Sequence, residues 1–68
     1  MALMEITYTV AGMTCGHCKS AVEAEVGRVP GVEFVEADVD TKLVVVRGEN
    51  LEDAALRAAI DEAGYEAA

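Results

Sequence analysis

The sequence predicts one small α+β domain in which two helices cover one face of an antiparallel sheet. Three observations carry this prediction. Apolar and polar residues alternate in three short segments, apolar residues recur at helical spacing in two others, and the segments follow one another as strand, helix, strand, strand, helix.

In residues 4–10, Ile6, Tyr8 and Val10 alternate with Thr7 and Thr9, the period-2 pattern of a strand with one buried face. Residues 11–16 break that pattern with two glycines and form a loop. From 17 to 28, Cys18, Ala21, Val22, Glu25, Val26 and Val29 follow i, i+3, i+4, i+7 spacing, with Glu25 the one polar interruption. This helix ends near Pro30-Gly31, because proline cannot continue the hydrogen-bond ladder and restricts the residue before it. Residues 32–39 form a second strand with Val35, Ala37 and Val39 on one face and Phe34 on the other, wetter face. A turn at Asp40-Thr41-Lys42 joins it to a third strand, 43–47, as a hairpin. After Gly48-Glu49-Asn50, residues 51–63 make a second helix with Leu51, Ala55, Leu56, Ala59, Ile60 and Ala63 on one side and Gly64 as its stop. Tyr65-Glu66-Ala67 offers only a weak fourth strand. The order βαββα(β) matches the ferredoxin-like, or split βαβ, open-faced sandwich.

Sixty-eight residues suffice for one domain, expected to span 1–68, and a chain of this length buries only roughly 60% of its unfolded surface. No apolar run approaches the roughly 18 residues of a membrane span. The first residues lack the charged and apolar regions of a signal peptide, so the expectation is a complete, cytoplasmic chain without membrane insertion. Thirteen acidic residues against five basic ones give a net charge of −8. That balance argues against nucleic acid and anionic membrane surfaces, which need clustered Lys and Arg, and suits a protein partner with a basic patch.

Cys15 and Cys18 are the two cysteines, three positions apart. A disulfide closing so short a loop removes little unfolded-state entropy, so the pair reads as metal-binding or redox-active instead of as a staple. It stands where the first strand gives way to the first helix. Backbone N–H groups at a helix start favour the thiolate, the form that ligates metal. Structural zinc takes four ligands and iron–sulfur clusters usually take four thiolates, whereas this segment offers two thiols and the imidazole of His17. Soft sulfur ligands in so small a set suit Cu(I), and leave the ion open to an incoming thiolate.

The run Gly12-Met13-Thr14-Cys15-Gly16-His17-Cys18 resembles the metal-binding loop of heavy-metal-associated domains. Val22 and Val26, Gly31-Val32, the Val35, Ala37 and Val39 strand, and Ala63-Gly64-Tyr65 also fall where that family's pattern expects them, so the resemblance covers essentially the whole chain. It implies a non-enzymatic copper chaperone similar to the free-standing bacterial ones, with Cys15 and Cys18 as Cu(I) ligands and Met13 as a buried anchor. Thr14, His17 and Tyr65 would support the loop or tune the site, Thr14 standing where zinc and cadmium relatives often carry an acidic residue. The implied partner is the metal-binding domain of a copper-transporting P-type ATPase, or a similar CxxC acceptor. The chain would be a monomer without metal, with a copper-bridged dimer as the alternative in its presence. Three readings stay open beside this one: a passive copper buffer, a site for mercury or zinc, and a thiol-disulfide oxidoreductase, whose thioredoxin-like members also use Cys-Gly-His-Cys. Lys19 is the one basic residue next to the pair in sequence.

Overall fold

The computed structural model describes residues 3–67. Its elements run β1 (Met4–Thr9), α1 (Gly16–Val26), β2 (Val32–Asp38), β3 (Leu43–Gly48) and α2 (Asp53–Glu62). The strands form one antiparallel sheet in the order β1-β3-β2. Both helices lie on one face of it, as the sequence predicts.

The alternation in each strand decides that face. Tyr8, Val44, Val46 and Ala37 are buried, with Ile6 and Val35 packed against them, and Val22 and Val26 of α1 with Leu56, Ala59 and Ile60 of α2 close the core from above. Each such Val, Leu or Ile contributes about 1.5–3 kcal/mol relative to an exposed side chain. On the opposite face Phe34 is 47% exposed, beneath the guanidinium of Arg47 at 5.8 Å, and Arg47 also pairs with Glu5 across the β1–β3 register.

Side chains tie the two edge strands to the two helices. On β2 the Ala37 N–H donates to Glu23 Oε2 at 3.0 Å, which ties the strand to α1 and satisfies a donor that an edge strand otherwise leaves open. Beside β1, the Tyr8 hydroxyl donates to Asp53 Oδ1 at 2.6 Å, the first residue of α2. Arg57 pairs with Asp53, lies over the Tyr8 ring at 5.3 Å, and donates to the Ala67 carbonyl.

Beyond one-residue shifts at the ends of several elements, three features differ from the sequence reading. The first helix closes at Val26, not Arg28, because Arg28 N–H bonds to Glu25 and Val29 N–H to Val26, tightening its end to i→i+3 bonds. The second begins at Asp53 rather than Leu51. Asn50 has φ +55, and the buried Leu51 precedes the N-cap Glu52, where it takes the position of a hydrophobic staple toward Leu56. Residues 65–67 form no strand. Tyr65 and Ala67 pack on the core and Arg57 holds the Ala67 carbonyl, so a side chain replaces the ladder; Ala68 and the first two residues of the expected 1–68 domain lie outside the described residues.

The end of α2 matters most for function. Gly64 has φ +95, its N–H bonds to the Asp61 carbonyl at 2.9 Å, and the Tyr65 N–H bonds to the Ile60 carbonyl at 3.1 Å, the paired bonds of a Schellman motif. The left-handed glycine turns Tyr65 back toward the β1–α1 loop. A Cβ on Gly64 meets nothing within 4 Å, so Gly64→Ala is expected to cost only the conformational penalty of about 1–2 kcal/mol. A Cβ on Gly48 would overlap the Gly31 carbonyl, so Gly48→Ala should cost distinctly more; urea unfolding of both variants checks the order.

Candidate metal centre

The loop between β1 and α1 is fixed at its base and open at its tip. Val10 and Met13 are fully buried, and the Met13 N–H bonds to the Val10 carbonyl at 3.1 Å, closing a turn over Ala11 and Gly12. From Thr14 to His17 the chain is exposed. Cys15 takes extended backbone as the N-cap of α1, φ −150 and ψ 172, with no side-chain cap bond and no acidic residue in the first turn. The positive end of that helix therefore faces the thiols.

The structure brings the two cysteines together. Both are free, Cys15 exposed and Cys18 half-buried, with their sulfurs 3.5 Å apart. The Cys18 thiol is drawn down to about pH 6, first by a hydrogen bond from the Tyr65 hydroxyl, then by the backbone N–H of Thr14, by Cys15 Sγ and by the Cys15 N–H, against the opposing effect of burial. The same contact raises the Tyr65 hydroxyl above its usual range, because a neighbouring thiolate disfavours a phenolate.

The other expected residues occupy different layers. Met13 is at the base of the loop and in the core. Thr14 and His17 are exposed at the tip of the loop. Tyr65 is half-buried across the loop, its ring close against Gly12, where a Cβ would stand 3.2 Å from Cδ1. Among the described residues there is no group of three or more His, Cys, Asp or Glu placed to hold a metal ion. The arrangement is a two-sulfur site on an accessible loop.

One participant was missed by the sequence reading, which placed Lys19 alone beside the pair. Lys42, in the turn between β2 and β3, donates its Nζ to the Met13 carbonyl at 2.6 Å, and its own carbonyl accepts the Val10 N–H at 2.7 Å. No sequence periodicity signals a contact across 29 positions.

Residues 7–66 match the heavy-metal-associated domain family. The chain belongs to this family. It is similar to a copper chaperone CopZ of Enterococcus hirae, 35% identical over 66 residues that cover 94% of this chain and 96% of that one. A COP-associated protein of Helicobacter pylori strain J99 is 44% identical over 43 residues, 63% of this chain and 65% of its own length. Among solved structures, a CopZ metallochaperone superposes with a TM-score of 0.91 at 30% identity, covering 96% of this chain and all of that one. A copper binding domain from a P-type ATPase superposes at 0.88 with 29% identity, covering 94% and 89%. Like these relatives, the chain is a copper-chaperone-like heavy-metal-associated domain, and among the described residues no helix is long and apolar enough to cross a membrane.

The thiol environment has a pH signature. A group held below its unfolded value lends stability that is present above that value and is lost as pH falls through the folded one. Metal-free protein should therefore gain stability from about pH 6 up to the ordinary thiol range, and its thiolate absorbance should first rise near pH 6. Tyr65→Phe removes the largest cause and should move that first rise upward, which an ultraviolet titration of both proteins measures.

Proposed function

We propose that the chain is a cytoplasmic copper chaperone, not an enzyme, that carries Cu(I) between the Cys15 and Cys18 thiolates and hands it to a CxxC acceptor. The observation that supports this best is the thiol pair itself, 3.5 Å apart on a loop whose base is buried and whose tip is open. Two thiolates suit Cu(I) among the soft metals and leave its coordination unfilled.

Transfer follows from that low coordination. A thiolate of the acceptor attacks the bound ion, giving a three-coordinate centre. The bond to Cys15 or Cys18 then breaks, and the released thiolate stays on this chain. A second acceptor thiolate then displaces the remaining cysteine in the same way; each exchange forms one Cu–S bond and breaks one, and copper remains Cu(I). The likeness to a copper binding domain of a P-type ATPase supports such a domain as the acceptor, since two alike loops can share one ion. With −8 on this chain, a basic surface on the acceptor would be steered toward it.

Cys15→Ser and Cys18→Ser are each expected to abolish Cu(I) retention against a competing chelator while leaving far-UV circular dichroism unchanged. Tight binding by either single variant would contradict the two-thiolate site. Met13→Leu should cost less than about 1.5 kcal/mol and leave Cu(I) affinity in place, because that side chain serves the core. Transfer to a CxxC acceptor should proceed unchanged in the presence of a chelator too dilute to strip the loaded protein, and should slow as salt rises. Interception by that chelator would show the ion passing through solution. Disulfide exchange without preference for metal would point instead to an oxidoreductase.

A further inference from the structure

Strand β2 is an edge of the sheet, and among the described residues no strand lies on its outer side. The unpaired backbone groups of such an edge are a template for a strand of another molecule. Three features of β2 decide how usable that template is. Its register against β3 slips between Val32 and Phe34, which confines the regular edge to residues 34–38. Within that stretch the Ala37 N–H donates to Glu23 Oε2 at 3.0 Å, so a side chain of α1 reaches across and takes the backbone donor. Glu36 and Asp38, on either side of Ala37, are exposed carboxylates. Glu23 itself is half-buried, follows the core residue Val22, and enters none of the three ion pairs among the described residues. Its carboxylate is committed to the strand.

We propose that Glu23 keeps the chain monomeric by occupying the edge of β2, which would otherwise pair with the β2 of a second copy. The second copy is the occupant that the topology fits. Two β2 edges related by a two-fold axis run antiparallel and continue one sheet into the other, in the order β1-β3-β2-β2-β3-β1 with all helices on one face. With the two Ala37 residues opposite one another, each would give its N–H to the other's carbonyl, and Glu23 withholds that donor in both copies. The same pairing sets Glu36 opposite Asp38 twice, a like-charge arrangement that opposes association and is screened by salt. The contact from Glu23 is a half-buried hydrogen bond, and salt does not screen it in the same way. Charge therefore protects the edge at low ionic strength, and Glu23 protects it at any ionic strength. No metal ion enters this inference, so it stands independently of the copper reading.

Glu23→Gln keeps an oxygen acceptor of the same reach, Glu23→Asp keeps the charge but shortens the arm, and Glu23→Ala removes both. Metal-free, reduced protein excludes dimers bridged by copper or by disulfides. In dilute Glu23→Ala, amide hydrogen exchange followed by NMR should be about tenfold faster at Ala37 and unchanged at Val44 and Val46 in the core. Sedimentation velocity at about 0.1 M and about 1 M salt, where charges are screened over about 10 Å and 3 Å, then reads association. The unaltered protein and Glu23→Gln should stay monomeric at both. Glu23→Ala and Glu23→Asp should dimerise at least about tenfold more strongly than the unaltered protein, and more at the higher salt, with concentration-dependent NMR shifts centred on residues 34–38. Unchanged exchange at Ala37, monomeric Glu23→Ala and Glu23→Asp at both salts, or dimer shifts lying outside β2 would each overturn the proposal. Dimerisation of Glu23→Gln equal to that of Glu23→Ala would overturn it too, because the acceptor oxygen would then not be what protects the edge. Should Glu23→Ala lose its far-UV circular dichroism, the folded Glu23→Asp variant decides by the same measurements.

Discussion

The burial of Val10 and Met13 on either side of a two-residue turn is the constraint on which the rest of this structure depends. A loop that must carry exposed, reactive sulfur has nothing at its tip to hold it in place. These two side chains fix its base in the core, and the Met13-to-Val10 backbone bond closes the turn between them. The direction of α1 follows, and with it the placement of Cys15 at the cap and Cys18 in the first turn. Helix, sheet and loop are thus organised around a point that the core defines and the solvent reaches.

The electrostatics of that point are assembled from short-range donors. The start of α1, the Thr14 and Cys15 N–H groups and the Tyr65 hydroxyl all present partial positive charge to Cys18. A chain with a net charge of −8 can therefore still stabilise a thiolate, because local dipoles outweigh distant carboxylates screened by water and salt. The fold also explains how Tyr65 comes to be there. Gly64 ends α2 in a left-handed turn, the Tyr65 N–H is anchored at Ile60, and the bare Gly12 leaves room for the ring.

Much of this could be read from residues alone. Ile6, Tyr8 and Val10 announce a half-buried strand, Val22 and Val26 a helix face, and the cysteines their own proximity, since all these features repeat over a few positions. Met13 was legible as an anchor and Gly64 as a helix stop. The contacts that were not legible join distant residues through long or rotatable side chains: Lys42 to Met13, Tyr8 to Asp53, Glu23 to the Ala37 N–H. Their partners are set by the path of the sheet and not by any period in the sequence. The missing fourth strand has a related cause. Ala67 is too small to supply much cross-strand packing, and Arg57 engages its backbone carbonyl.

In the proposed site two thiolates hold the ion without help from His17 or the buried Met13. X-ray absorption at the copper edge of the loaded protein, at concentrations where it is monomeric, tests this directly. The expected result is a two-coordinate Cu(I) with two sulfur scatterers and no nitrogen. A nitrogen shell assignable to imidazole, or a third sulfur within the monomer, would contradict it.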